Sequence, residues 1–193
     1  MDLDDATAAL LHELRIRGMF EAEPTTAGDT LVAAGYAVRR RTFLVITATG
    51  RELHAQWARC EAGSPDEAAL QVAYERFLPL NRDFLRVCND WQVTPSGALN
   101  AHDDPEYDWA VVDRLRALHE RSSPVTRSMS RVMARFAPYR TRLHTALHRV
   151  EQGDDEWFAS PRLDSYHTVW MQLHEDLLLA LGLDRASEPE VRA

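Results

Sequence analysis

The sequence predicts a mainly α protein in which a small N-terminal unit carrying a β-hairpin precedes an antiparallel helical bundle. Three observations point there. Beyond Cys60 the apolar residues recur at helical spacing in long stretches, opened by Ser or Asp followed by Pro at Ser64-Pro65, Asp104-Pro105, Ser123-Pro124 and Ser160-Pro161. Only Tyr36 to Thr47 concentrates β-branched and aromatic residues. No apolar run is long enough for a signal peptide or a membrane span, so a cytoplasmic protein with no membrane partner is expected.

Composition narrows the function classes. The chain has 193 residues, 45% apolar and 27% charged, enough for one good core or a small domain beside a larger one. A net charge of -8 disfavours general attraction to nucleic acid or anionic membranes, so any DNA contact must be local. The excess is uneven: up to Cys60 seven arginines face eight acidic residues, and beyond it fifteen face twenty-two. All the basic residues are arginines. Cys60 and Cys88 make no disulfide or metal framework, and neither a metal nor a cofactor is expected.

In order, Ala6 to Gly18 reads as a helix closed by Gly18, and Thr25 or Thr26 caps a second, short helix ending at Ala34-Gly35. The hairpin over Tyr36 to Thr47 follows, then a helix from Ala48 through Leu53, His54 and Trp57 toward Cys60. Glu61 to Pro65 is the best boundary, giving an N-terminal domain over 1–62 and a bundle over 65–184. A helix runs from Asp66 to about Trp91 with a kink or break at Pro79. Val93 to Asp103 is a loop. Asp104-Pro105 opens a helix to about Arg121, Ser123-Pro124 restarts the chain to Phe136, and Pro138 opens a helix to about Gln152. The last helix spans Ser160 to Leu183, with Ser160 as cap, Pro161 in the first turn and Gly182 as stop. Residues 185–193 read as a flexible tail.

Leu31-Val32-Ala33-Ala34-Gly35-Tyr36, a basic β segment, and Ile46-Thr47-Ala48-Thr49-Gly50-Arg51 resemble the end of the recognition helix, the wing and the following helix start of MarR-like winged-helix regulators. The stretches around Asn81 to Gln92 and Asp164 to Trp170 resemble actinobacterial proteins called transcriptional regulators. The resemblance implies a degenerate winged helix, double-stranded DNA as a partner, Arg39, Arg40 and Arg41 on phosphates, and a homodimer. Only Met19 to Thr30 separates the first helix from the recognition-helix end, room for one helix where the family has two. A solvated hairpin with arginine on its exposed face is the alternative.

The residues that carry chemistry lie in the bundle. Placed 100° apart, Leu163, Tyr166, His167, Trp170, Met171, His174, Leu177, Leu178 and Leu181 share one face of the last helix. Asp164, Thr168, Gln172, Glu175 and Asp176 fall opposite. Two histidines on an apolar stripe demand partners, because burying an unpaired polar group costs about 2–7 kcal/mol. The facing helix shows the same anomaly: Asn81, Cys88 and Gln92 interrupt its stripe beside Trp91. The eight residues Asn81, Cys88, Trp91, Gln92, Tyr166, His167, Trp170 and His174 thus read as a pocket for a small organic molecule, or as a hydrogen-bond network fixing helix register. His144 and His148 have helical ligand spacing without a third ligand, and Cys88 lacks an evident partner as a nucleophile. These features predict a small-molecule-responsive regulator. The alternative is a metal-independent enzyme of specialised metabolism using His167 and His174 for acid/base chemistry.

Overall fold

The computed structural model describes residues 3–184, and the tail expected over 185–193 lies outside them. Among the described residues the chain is mainly helical with one small antiparallel sheet. It divides into two compact units. One comprises the chain up to Cys60 together with Leu178–Asp184, and the other runs from Glu61 to Leu177.

The first unit opens with α1 (Asp5–Arg17), where Asp4 caps the Thr7 amide at 2.9 Å and Gly18 closes the helix at φ 77°. Strand β1 (Met19–Glu21) follows, then α2 (Thr26–Ala33), capped by Thr25. Strands β2 (Ala37–Arg40) and β3 (Phe43–Ile46) form the expected hairpin, and α3 (Ala48–Ala58) starts at Thr47, whose hydroxyl accepts from the Gly50 amide at 3.0 Å. The sheet order is β1-β3-β2, with Phe20 opposite Leu44 and Arg39 opposite Leu44 on the other side. Between β1 and β2 the chain builds one helix. Leu11, Leu14, Leu31, Ala37, Leu44 and Ile46 make the core. Three-residue β1 had escaped the sequence reading, because so short a stretch carries no alternation to detect.

The second unit is built on α4 (Pro65–Gln92), α5 (Pro105–Val132), α6 (Ala137–Glu151), the short α7 (Glu156–Ala159) and α8 (Tyr166–Leu181), whose end from Leu178 belongs to the first unit. Cross-links fix the directions. Arg114 meets Asp90 and Arg121 meets Asp83, so α5 runs against α4; Arg116 meets Glu151 and His119 meets His144, so α6 runs against α5. Phe77 packs on His174 and Phe84 on His167, which sets α8 against α4.

Two boundaries differ from expectation. No restart occurs at Pro124, and of the kink or break expected at Pro79 the break does not occur: both helices run through their prolines. Each proline is exposed, and so is the residue four before it, Glu75 or Glu120, so solvent can satisfy the carbonyl that the proline leaves without its helical donor. The last helix begins at Tyr166, not Ser160. Ser160 is extended, residues 161–164 turn, and Arg142 holds Asp164 through both carboxylate oxygens at 2.9 and 3.0 Å. Ser165 takes over as cap by accepting from the Thr168 amide at 3.2 Å, while the Thr168 hydroxyl donates to the Ser160 carbonyl.

Candidate functional site

The face predicted on α8 is real but not one-sided. Tyr166, Trp170 and His174 are buried as expected, yet so are Val169, Leu173 and Asp176. Asp176, expected toward solvent, is fully buried, paired with Arg135 at 3.0 Å and accepting from the Tyr139 hydroxyl at 3.2 Å. The reason is α6, which covers the side of α8 that a two-helix reading leaves open.

Most of the residues read as a pocket do converge. Trp170 lies between Phe77 at 5.0 Å and Phe84 at 4.8 Å and donates its indole N–H to Asn81 Oδ1 at 2.9 Å. Tyr166 and His167 meet Phe84, and His174 meets Phe77. This is a stacked aromatic ladder around a satisfied amide, the arrangement that fixes register in a core. Cys88 is buried and its thiol is pushed up to about 12 by desolvation, which removes the thiolate at neutral pH. Burial also holds the His167 imidazole below its usual range. Two members stand elsewhere. Gln92 is exposed, because it lies one residue beyond inward-facing Trp91, about 100° round the helix. Trp91 leaves the ladder at the far end of α4, stacked face to face on Phe158 at 4.2 Å and packed on His102 at 4.4 Å.

That end of α4 holds the best-formed candidate. The loop to α5 returns close to its start: Asn100 N–H donates to the Gln92 carbonyl at 2.8 Å, and the Tyr107 hydroxyl donates to the Asp90 carbonyl at 2.8 Å. Within it the Asn100 amide donates to the Trp91 carbonyl at 3.1 Å and to Asp108 Oδ1 at 2.7 Å. His102 Nδ1 approaches Asp108 Oδ2 at 3.1 Å. Both Asn100 amide protons are thereby used, so the 3.3 Å approach of Asn100 Nδ2 to His102 Nδ1 is a contact, and Nδ1 carries its own proton to the carboxylate. In neutral His102, Nε2 is then the basic nitrogen.

Backbone geometry agrees with a special position. His102 sits at φ 56°, a region costing a non-glycine residue of order 1–3 kcal/mol unless its surroundings impose it. Here they do: the His102 amide donates to Asn100 Oδ1 at 3.1 Å, and the ring lies between Asp108 and Trp91. Trp91, His102, Asp108, Trp109, Val112 and Asp155 contribute to the walls of a cavity of about 190 Å³. Trp109 is 46% exposed at this cavity. The cavity is smaller than the 300–1,000 Å³ typical of drug-sized ligands, so it suits a molecule of roughly ten heavy atoms or fewer.

No family model matches the chain, and neither a curated protein nor a solved structure is significantly similar to it. The site therefore rests on its own geometry.

Sequence reasoning named Trp91 and missed His102, Asp108 and Trp109. His102 and Asp108 fall on opposite sides of a loop-to-helix boundary, where no periodicity relates them. The usable signal was a cluster of Asn, His and Asp beside a helix-capping Asp104-Pro105, which reads as turn chemistry.

In the first unit the three hairpin arginines separate. Arg39 donates to the Ala22 carbonyl at 3.1 Å and pairs with Asp29 at 3.5 Å, whereas Arg40 and Arg41 are exposed at the hairpin tip. His144 is exposed, and His148 Nε2 meets the Gln152 amide at 3.1 Å. Among the described residues no helix is long and apolar enough to cross a membrane.

Proposed function

We propose that this protein is a small-molecule-responsive regulator whose helical unit binds a small organic cation in the cavity built on His102, Asp108, Trp91 and Trp109. The observation that carries the reading is the Asp108-held His102 on an aromatic wall. Trp91 is covered by Phe158 and His102, so the aromatic surface left for a ligand is that of Trp109, and a cation over an indole face is worth about 0.5–1 kcal/mol when exposed and about 2 when desolvated. Asp108 and Asp155 supply negative charge, and among the described residues no arginine lines the cavity. With the Nδ1 proton directed at Asp108, Nε2 is the ring nitrogen of His102 that can accept from an ammonium N–H.

The regulator half of the reading is supported by the element order of the first unit, in which a sheet of order β1-β3-β2 ends in an arginine-tipped hairpin. The MarR-like resemblance and the expected homodimer belong to this proposal. So does double-stranded DNA as a partner, through Arg40 and Arg41.

The test uses indole fluorescence. Benzylammonium should quench it saturably, and neutral benzyl alcohol, of the same size, should bind at least tenfold more weakly. Equal affinities would remove the cation from the reading. A second reading, an enzyme, is favoured by the same dyad, since a carboxylate-oriented imidazole is the arrangement of a general base. It places the base at His102 rather than at His167 or His174. Conversion of a bound amine, detected by mass spectrometry and lost in His102→Gln, would decide for it.

A further inference from the structure

Away from the aromatic cavity, α5 and α6 enclose a second cleft of about 120 Å³, lined by His119, Ser122, Ser123, Thr126, Arg140 and His144 with Leu143. Its inner wall is built from groups already out of solvent: Ser122 is 2% and Thr126 3% exposed, and beneath them the buried Tyr166 hydroxyl meets His119 Nδ1 at 3.2 Å. The set contains three hydroxyls, two imidazoles and a guanidinium, and no carboxylate.

Arg140 makes this more than a polar dent. Along α6, Arg142 is paired with Asp164 and Arg149 with Asp154, but half-buried Arg140 has no ion-pair partner among the described residues. Of the acids that act on this corner, Glu151 is taken by Arg116 at 2.7 Å and Glu120 is exposed. The Ser122 and Thr126 hydroxyls already donate to the His119 and Ser123 carbonyls at 2.9 and 3.1 Å, and with no carboxylate among the lining residues a partly desolvated cation is costly unless an anion completes it. The field agrees: the His119 imidazole is held below its usual range by burial first and then by His144; Glu151 and Glu120 oppose this, and Arg140 adds to it.

We propose that this cleft is an oxyanion site, taking a phosphate or carboxylate group on Arg140, His119, His144 and the Ser123 hydroxyl. A planar guanidinium beside imidazoles and a hydroxyl with an uncommitted proton is the usual chemistry for such groups. The volume admits one tetrahedral anion or the anionic end of a longer molecule. The site stands apart from the amine reading of the aromatic cavity and does not depend on it.

The experiment is a titration of the full chain with inorganic phosphate and with phenyl phosphate, against sodium chloride at matched ionic strength. Imidazole signals are followed by NMR and the melting temperature in parallel. Saturable binding that moves the His119 and His144 signals and weakens at least tenfold in Arg140→Gln is expected. Comparable affinity for phenyl phosphate would identify the anionic end of a larger ligand, and binding of phosphate alone a free ion; both support the site. Should Arg140→Gln fail to fold, exposed His144→Gln serves, with a weakening of severalfold expected. A response no greater than that to chloride, or one unchanged in both variants, would overturn the proposal.

Discussion

Asp108 divides its carboxylate between an amide and an imidazole, and that division sets what His102 can do. Replacing it by Asn puts an amide where the His102 Nδ1 proton needs an acceptor. We expect Asp108→Asn to weaken benzylammonium binding at least tenfold while costing about 1–3 kcal/mol of stability, the range for a disrupted hydrogen bond to a charged group, measured by urea denaturation. His102→Gly should behave differently. It removes the ring, and so the binding, but releases positive-φ strain worth about 1–3 kcal/mol, which offsets the lost contacts. A net cost under about 1 kcal/mol is expected, and a cost above 3 would show that the ring holds the loop together rather than being held by it. Proton linkage belongs to this scale too. His119 and His167 both have imidazoles lowered from 6.5 chiefly by burial, so the unfolded chain binds protons that the native state refuses. Stability attached to these groups is complete above the unfolded pKa and falls as pH drops below about 6.5. The urea midpoint should decline from pH 7 toward pH 5, less steeply in a His119→Gln, His167→Gln double variant.

At the scale of elements, caps and stripes were legible and interruptions were not. Asp4, Thr25, Thr47, Ser64 and Asp104 all accept from amides in the first turns of their helices, and all five starts could be read from the sequence to within a residue. Pro124 misled because a proline's effect depends on which face it occupies, and a stripe read for its apolar members gives little weight to the opposite side. Asp176 misled for a related reason: a helix read against one partner has an outside, whereas α8, enclosed by α4 and α6, has almost none. Its pairing yields a prediction. Arg135→Gln leaves the Asp176 carboxylate buried with the Tyr139 hydroxyl, and breaking one side of a buried pair costs about 3–5 kcal/mol. Thermal denaturation should show a loss of that order. Gly50 makes a comparable case in α3: a Cβ there would collide with the Tyr36 carbonyl oxygen, a backbone atom that cannot rotate away. Gly50→Ala should destabilise the first unit despite Ala's better helix propensity.

For the whole molecule, charge decides how DNA binding can be tested. The chain carries -8 overall, so general electrostatics oppose a duplex, and only a local basic patch can supply affinity. The sequence offered three adjacent arginines for that patch. Folding leaves two, because Arg39 is spent on Ala22 and Asp29 within the sheet unit, a side-chain choice that no hairpin pattern encodes. The same limit explains why the candidate site was only partly legible: periodicity placed Trp91 inward, but the loop that folds His102 onto it is a matter of individual hydrogen bonds. On the regulator reading, each phosphate neutralised contributes about -0.9 to the slope of log affinity against log salt. Arg40 and Arg41 then give roughly -2 per protomer and about -4 for a dimer. Fluorescence anisotropy with the chain's own upstream DNA, across a salt series, measures it. A slope near -4 that collapses in an Arg40→Gln, Arg41→Gln variant would establish the hairpin as the contact. A slope near -10 would require a basic surface elsewhere, and equal affinity for a scrambled duplex would end the regulator reading while leaving the amine cavity to be pursued as an enzyme or carrier site.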